Sequence, residues 1–355
     1  MRTSARCSSR SARRPLAARR TAVADSRPDR PLIVDPSRVD DTTGEPADRF
    51  CALASLRYDD TDAPPRWRAA GDLLAAHPDV VRQHVWAAST AADVNALQEH
   101  LVNAAVADAA GGPFGWTPLM YLAYSRVPPS GEGADVVTAA TMLLDAGADP
   151  NAGYLWRGMT PPFTVLTGVF GEGEQGPRRQ PRHPRATELA TLLLRRGAHP
   201  VDQQTLYNRM FRADDSHLEL LFAHGLAAAG PSPWERLLGN AMESRADMWS
   251  RQVQWAAEHG FSKRLALLDR HGIDVSGVDL VEPTAPTDPN ARDHDGATPL
   301  HHAAWDGDLT RIRELLAAGA DPTITDGRFG TTPLGWAEHA YQTEAAELLR
   351  FQAPT

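Results

Sequence analysis

The stretch Gly296-Ala297-Thr298-Pro299-Leu300-His301-His302-Ala303-Ala304 returns as Gly330-Thr331-Thr332-Pro333-Leu334-Gly335-Trp336-Ala337-Glu338, 34 residues further along. Between the copies lies Leu315-Leu316-Ala317-Ala318-Gly319-Ala320-Asp321-Pro322. Thr298 can cap a helix, Pro299 takes the first turn where a missing N–H is harmless, and Ala303 and Ala304 permit a close neighbour. After Gly307, residues Leu309, Ile312, Leu315 and Leu316 recur at helical spacing, and Gly319 stands where a helix C-terminus favours glycine. One unit therefore reads as a helix, a turn and an antiparallel second helix.

The same grammar occurs upstream. Gly115-Trp116-Thr117-Pro118-Leu119-Met120-Tyr121-Leu122-Ala123 closes with Leu143-Leu144-Asp145-Ala146-Gly147-Ala148-Asp149-Pro150, stretched by 128–133. Gly158-Met159-Thr160-Pro161 opens a further unit that closes with Leu193-Leu194-Arg195-Arg196-Gly197-Ala198-His199-Pro200, interrupted by the Gly-, Pro- and Arg-rich stretch 171–185. Weaker second-helix endings fall at 221–225 and 267–272, and 85–106 carries a further degenerate unit. The spaced prolines of 283–289 cannot continue a helix.

These residues resemble the ankyrin repeat, a β-turn and two helices with a Thr-Pro-Leu-His-x-Ala start and a period of about 33 residues. The resemblance is clearest over 116–202 and 292–351. It implies an all-α ankyrin-repeat solenoid of about six or seven stacked helix-turn-helix units, because one unit cannot bury its own apolar face. The expected organisation is a disordered Arg-rich tail over 1–45, a helical N-terminal cap over 46–82, partly degenerate repeats with loop insertions over 83–290, and two well-matched repeats over 291–355.

The net charge is −9, but residues 1–30 carry nine arginines against Asp25 and Asp29, which leaves −16 for the remainder. An acidic body repels phosphate backbones, so nucleic-acid binding by the folded part is not expected. Cys7 and Cys51 imply no disulfide framework and no thiolate metal cage. No apolar run is long enough to span a bilayer, and the first thirty residues lack the apolar core of a secretory signal. Lys263 is the sole lysine, a usage that points to a GC-rich bacterial genome and a cytoplasmic setting.

Candidate chemistry is sparse. Gly171-Glu172-Gly173-Glu174-Gln175-Gly176 satisfies the dinucleotide pattern, yet Pro177 comes next where a helix should begin and two carboxylates would repel phosphate; a flexible loop is the expectation. Asp293-His294-Asp295-Gly296 begins like a calcium loop but lacks acidic residues at its first and last positions. His301 and His302 are adjacent and face different directions on a helix, so no metal site is expected there. No catalytic residue and no cofactor is assigned. Arg178, Arg179, Arg182, His183 and Arg185 form a basic run that reads as solvated.

In proteins of the resembling family, binding residues lie on turn tips and on variable positions of the first helix. Carried over by motif, this implies partner contacts at Trp116, Tyr121 and Tyr124 in one repeat and at His294, His302, Trp305, Asp306, Phe329, Trp336 and His339 in the last two. Trp and Tyr bury much area at low entropic cost, which makes them common interface anchors. The expected function is a monomeric, non-catalytic scaffold or inhibitor that holds another protein. Two alternatives remain: an enzyme or ligand binder with a pocket in 203–290, and a nucleic-acid contact through the basic tail and the arginine loop.

Overall fold

In the computed structural model, Thr117, Thr298 and Thr332 each occupy the N-cap of a helix that begins with proline. The structure describes residues 31–129, 133–280 and 288–351. The tail expectation over 1–30, most of the proline-spaced stretch and residues 352–355 lie outside these. The chain divides after Pro31, and the architecture is that of the unit beginning at Leu32.

Helices α1 (Pro46–Ala54) and α2 (Pro64–Ala76) pack together at the N-terminal side. Helical pairs come after them: α3 (Val85–Ala91) with α4 (Val94–His100), then α5 (Pro118–Tyr124) with α6 (Val136–Asp145). Next are α7 (Val165–Phe170), a short inserted α8 (Gly176–Arg179) and α9 (Ala186–Arg195). The middle holds α10 (Gln203–Arg209), α11 (Ser216–Ala223), α12 (Pro233–Leu238), α13 (Arg245–Glu258) and α14 (Ser262–Arg270). The last pairs are α15 (Pro299–Asp306) with α16 (Leu309–Ala317) and α17 (Pro333–His339) with α18 (Thr343–Arg350). First helices contact one another in order, α3 with α5, α5 with α7, α7 with α10 and α10 with α13, while α4, α6 and α9 do the same on the other side.

Local chemistry explains the helix boundaries. Asp93, Asp135, Asp202 and Asp308 accept backbone N–H groups at the starts of α4, α6, α10 and α16, satisfying donors that a helix leaves open. Gly319 takes φ +91° just after α16, a conformation that a side chain would strain.

Four expectations are corrected. The fold is mostly helical but not all-α: β1 (Ile33–Val34), β2 (Gly153–Trp156) and β3 (Phe163–Thr164) form a sheet, β1 parallel to β2 and β2 antiparallel to β3. Residues 32–45 are accordingly not tail. Val34 is buried, and Asp41 pairs with the buried Arg57 at 2.9 Å, contacts that a short polar, Asp-containing stretch does not announce.

Thr160-Pro161 does not start a helix. The cap passes to Thr164, whose hydroxyl accepts from Leu166 while Thr167 bonds back to it, so α7 begins four residues later. Finally, the buried apolar side chains form two clusters rather than one continuous core, one from Val34 to Leu268 and one from Leu300 to Leu349. The connection between α14 and α15 spans 28 residues, against 15 between α16 and α17.

Candidate functional site

The last two helical pairs are stapled through one histidine. His301 Nδ1 accepts from the Thr298 N–H at 3.0 Å, which leaves the proton on Nε2, 3.0 Å from the Thr331 carbonyl in the next turn. With α15 and α17 fixed side by side, the rings at 302, 305, 336 and 339 are brought together. Trp305 meets Trp336 edge to face at 5.8 Å, His339 stacks on Trp305 at 5.8 Å, and His302 meets Trp336 at 5.6 Å. Phe329, 63% exposed on the turn tip, continues the row at 6.4 Å from Trp336.

A carboxylate anchors this row from behind. Asp326 accepts from the backbone of Arg328, Phe329 and Thr331 and from the Trp336 indole N–H at 3.1 Å. Burial pushes its carboxyl up, but the Phe329 and Thr331 amides and the indole outweigh that and hold it far below the ordinary carboxylate range. At the rim, Asp306 pairs with Arg212 at 3.1 Å and His302 with Asp293 at 2.8 Å. Asp293 also accepts from the Asp295 and Ala297 amides, so the stretch that begins like a calcium loop uses this carboxylate to shape a turn. His294 is exposed on the same turn, 3.3 Å from Asp295.

Trp116, Tyr121 and Tyr124 do not belong to this surface. They are at most 1% exposed and sit inside the first core cluster, which corrects their assignment as partner contacts. Phe114 stacks on Trp116 at 4.3 Å, and Tyr154 of β2 lies 5.1 Å from the same ring. The Tyr121 hydroxyl accepts from Phe114 N–H and donates to the Gly111 carbonyl, and Tyr124 donates to the Thr164 carbonyl. The sheet and the 111–116 turn, neither legible as cover in the sequence, roof these rings.

The inserted stretch 171–185 is the second correction, for it is a packed strut rather than a loose loop. Glu172, Arg179, Gln180 and His183 are buried. Glu172 pairs with Arg209, itself 1% exposed, and with Arg182 at 2.7 Å; Asp214 pairs with the same two arginines. Arg179 donates to the carbonyl of Asp60 near the N-terminal helices and to that of His339 in α17 at 3.3 Å, and lies over the Tyr341 ring. The glycine pattern serves this folding-back: a Cβ on Gly171, which has φ +57°, would stand 2.3 Å from the Pro181 carbonyl oxygen. The run of opposite charges in 172–185 was the available signal.

A shallow depression of about 270 Å³ runs along one face of α13, lined by Asp247, Arg251, Trp255 and Glu258 among others, all from that one helix. Polar groups do not converge on it from several elements.

Two buried histidines give the fold an acid limit. Burial, reinforced by Arg126 and Arg185, pushes His183 down to about 3; burial together with Arg209 and Arg264 pushes His217 well below its ordinary value. Both are neutral when folded and take a proton on unfolding below about pH 6.5. The unfolded chain then binds more protons, so stability falls as pH drops from about 6.5 toward 3, by up to roughly 1.4 kcal/mol per pH unit for each histidine. Urea midpoints measured from pH 8 to 5 are expected to decline below 6.5, and His217→Gln to flatten that decline. A midpoint independent of pH over this range would refute the assignment.

Residues 295–327 match the family model of the ankyrin repeat. The chain is similar to human ankyrin repeat domain-containing protein 49, with 40% identity over 88 residues, 25% of this chain and 30% of that protein. It is also similar to the Arabidopsis thaliana serine/threonine-protein kinase VIK, 38% identical over 86 residues, 24% of this chain and 19% of the kinase. A mouse relative, the inactive serine/threonine-protein kinase TEX14, is 37% identical over 65 residues, 18% of this chain and 4% of that protein. The chain thus spans less than a third of the length of each of these relatives.

Proposed function

We propose that this chain is an ankyrin solenoid acting as a non-catalytic scaffold or inhibitor, and that it holds another protein on the aromatic row of its last two repeats. The observation that carries the reading is the contiguity of that row, from Phe329 through Trp336 to Trp305 and His339, beside and within an ankyrin repeat. Ankyrin repeats generally mediate protein–protein interaction, and rings held by their neighbours before binding lose little freedom when a partner arrives. The proposed setting is a bacterial cytoplasm, with the chain a monomer. Among the described residues no helix is long and apolar enough to cross a membrane.

Neither rival gains from the structure. In the described part of the middle region the depression on α13 is shallow and lined by that helix alone, and Arg179 and Arg182 of the arginine stretch are engaged within the chain. The test is capture of partners from an extract by immobilised protein. Tyr121 is unsuited to substitution because it is buried, so the informative variant is Trp305→Ala with Phe329→Ala. Recovery of the specific partners is expected to drop at least about tenfold, the effect of roughly 1.4 kcal/mol, with an unchanged circular dichroism spectrum. Equal recovery by both proteins would remove this surface as the binding site.

A further inference from the structure

Beside the carboxylates Asp306 and Asp326, three arginines of this chain rest on or beside the aromatic row. The Arg328 guanidinium lies 5.0 Å from the Phe329 ring centre, Arg212 pairs with Asp306 one residue from Trp305, and Arg179 lies 5.6 Å over Tyr341 beside His339. Three separate segments each bring an arginine to this face. A planar guanidinium stacks on a ring and is weakly hydrated, whereas an ammonium keeps its water.

The electrostatics point the same way. The Trp336 indole donates its N–H to the Asp326 carboxylate, and an anionic acceptor behind the ring makes the ring face more attractive to a cation. Residues 291–351 contain five arginines against ten carboxylates, a net of −5, so the surroundings favour a basic visitor and repel phosphate.

From ring chemistry and charge together we infer that the row docks an arginine-rich, extended segment of the partner protein. This rests on the interaction reading above and adds the class of partner. The segment's guanidinium groups lie against Phe329 and the Trp305–Trp336 pair and reach Asp306, taking the places that Arg328 and Arg212 hold in the free chain.

The test is fluorescence anisotropy of labelled octa-arginine and octa-lysine with the full chain at fixed salt. Octa-arginine is expected to bind at least about fivefold more tightly than octa-lysine, the scale of one exposed cation–π contact. Phe329→Ala, at a position largely in solvent, is expected to erase that preference, and Asp306→Asn to weaken both peptides. Arg328→Ala vacates the Phe329 ring and is expected to tighten octa-arginine more than Arg313→Ala does, which removes the same charge from the exposed side of α16. Equal binding of the two peptides, or a preference that survives Phe329→Ala, overturns the inference. If the peptides fail this test while partner capture still depends on Trp305 and Phe329, the partner class is wrong and the interaction reading stands; if capture is also insensitive, both fall.

Discussion

Arg209→Ala is expected to lower folding stability by about 3–5 kcal/mol, read as a large fall in the urea midpoint with an unchanged slope. Arg209 is 1% exposed and faces Glu172, whose side chain is 6% exposed, as well as Asp214. The guanidinium is held by charge more than by well-aligned hydrogen bonds, since its nitrogens lack partners of good hydrogen-bond geometry. Burial, helped by Arg182, draws its proton affinity down, and Glu172 and Asp214 offset this only in part, as for an ion pair taken out of water together. Alanine would strand Glu172 in the interior with only Arg182, which is one-third exposed, to answer it. Arg209→Met combined with Glu172→Gln removes both charges at similar volume and is expected to recover much of the loss. A single variant as stable as wild type would show that solvent reaches the strut.

Trp116→Ala is expected to cost about 3–5 kcal/mol, the range for deleting a large buried ring. Phe114, Tyr121, Tyr124 and Tyr154 all touch that indole; Tyr121 and Tyr124 cannot swing in to fill the space without breaking a hydroxyl hydrogen bond, nor Tyr154 without disturbing the sheet. The indole N–H has no partner, so Trp116→Phe loses packing but no hydrogen bond and is expected to cost far less. Denaturant titration of the two variants, with near-ultraviolet dichroism to follow the ring cluster, separates these outcomes. A small, equal effect of both would mean that the cluster is open to water.

The contrast between Trp116 and Trp336 shows what the sequence can disclose. Both obey the same turn grammar, and carry-over by motif places both on the binding face. The caps at Thr117, Thr298 and Thr332 and the turn glycine Gly319 were readable because they act within a few residues of themselves. The cover over Trp116 depends on Tyr154 and on a strand begun at Gly153, and nothing near Trp116 encodes their arrival. The same holds for 171–185. Charged residues in a Gly- and Pro-rich stretch ordinarily face water, and what buries them here is Arg209 and Asp214, some thirty residues further on. Thr160-Pro161 misled for a local reason, because a better cap, Thr164 with Thr167, stood four residues further along.

Arg179 touches the carbonyl of Asp60 and that of His339, positions separated by nearly the whole series of helical pairs. An open array of repeats can gain or lose a copy and merely grow longer or shorter. This one is gauged: duplicating any hairpin between Asp60 and His339 would carry one carbonyl out of reach of a side chain that must hold both. Arg179 thus ties an early connection of the series to its last first helix, and a duplicated hairpin between them is expected to cost it at least one of these two bonds.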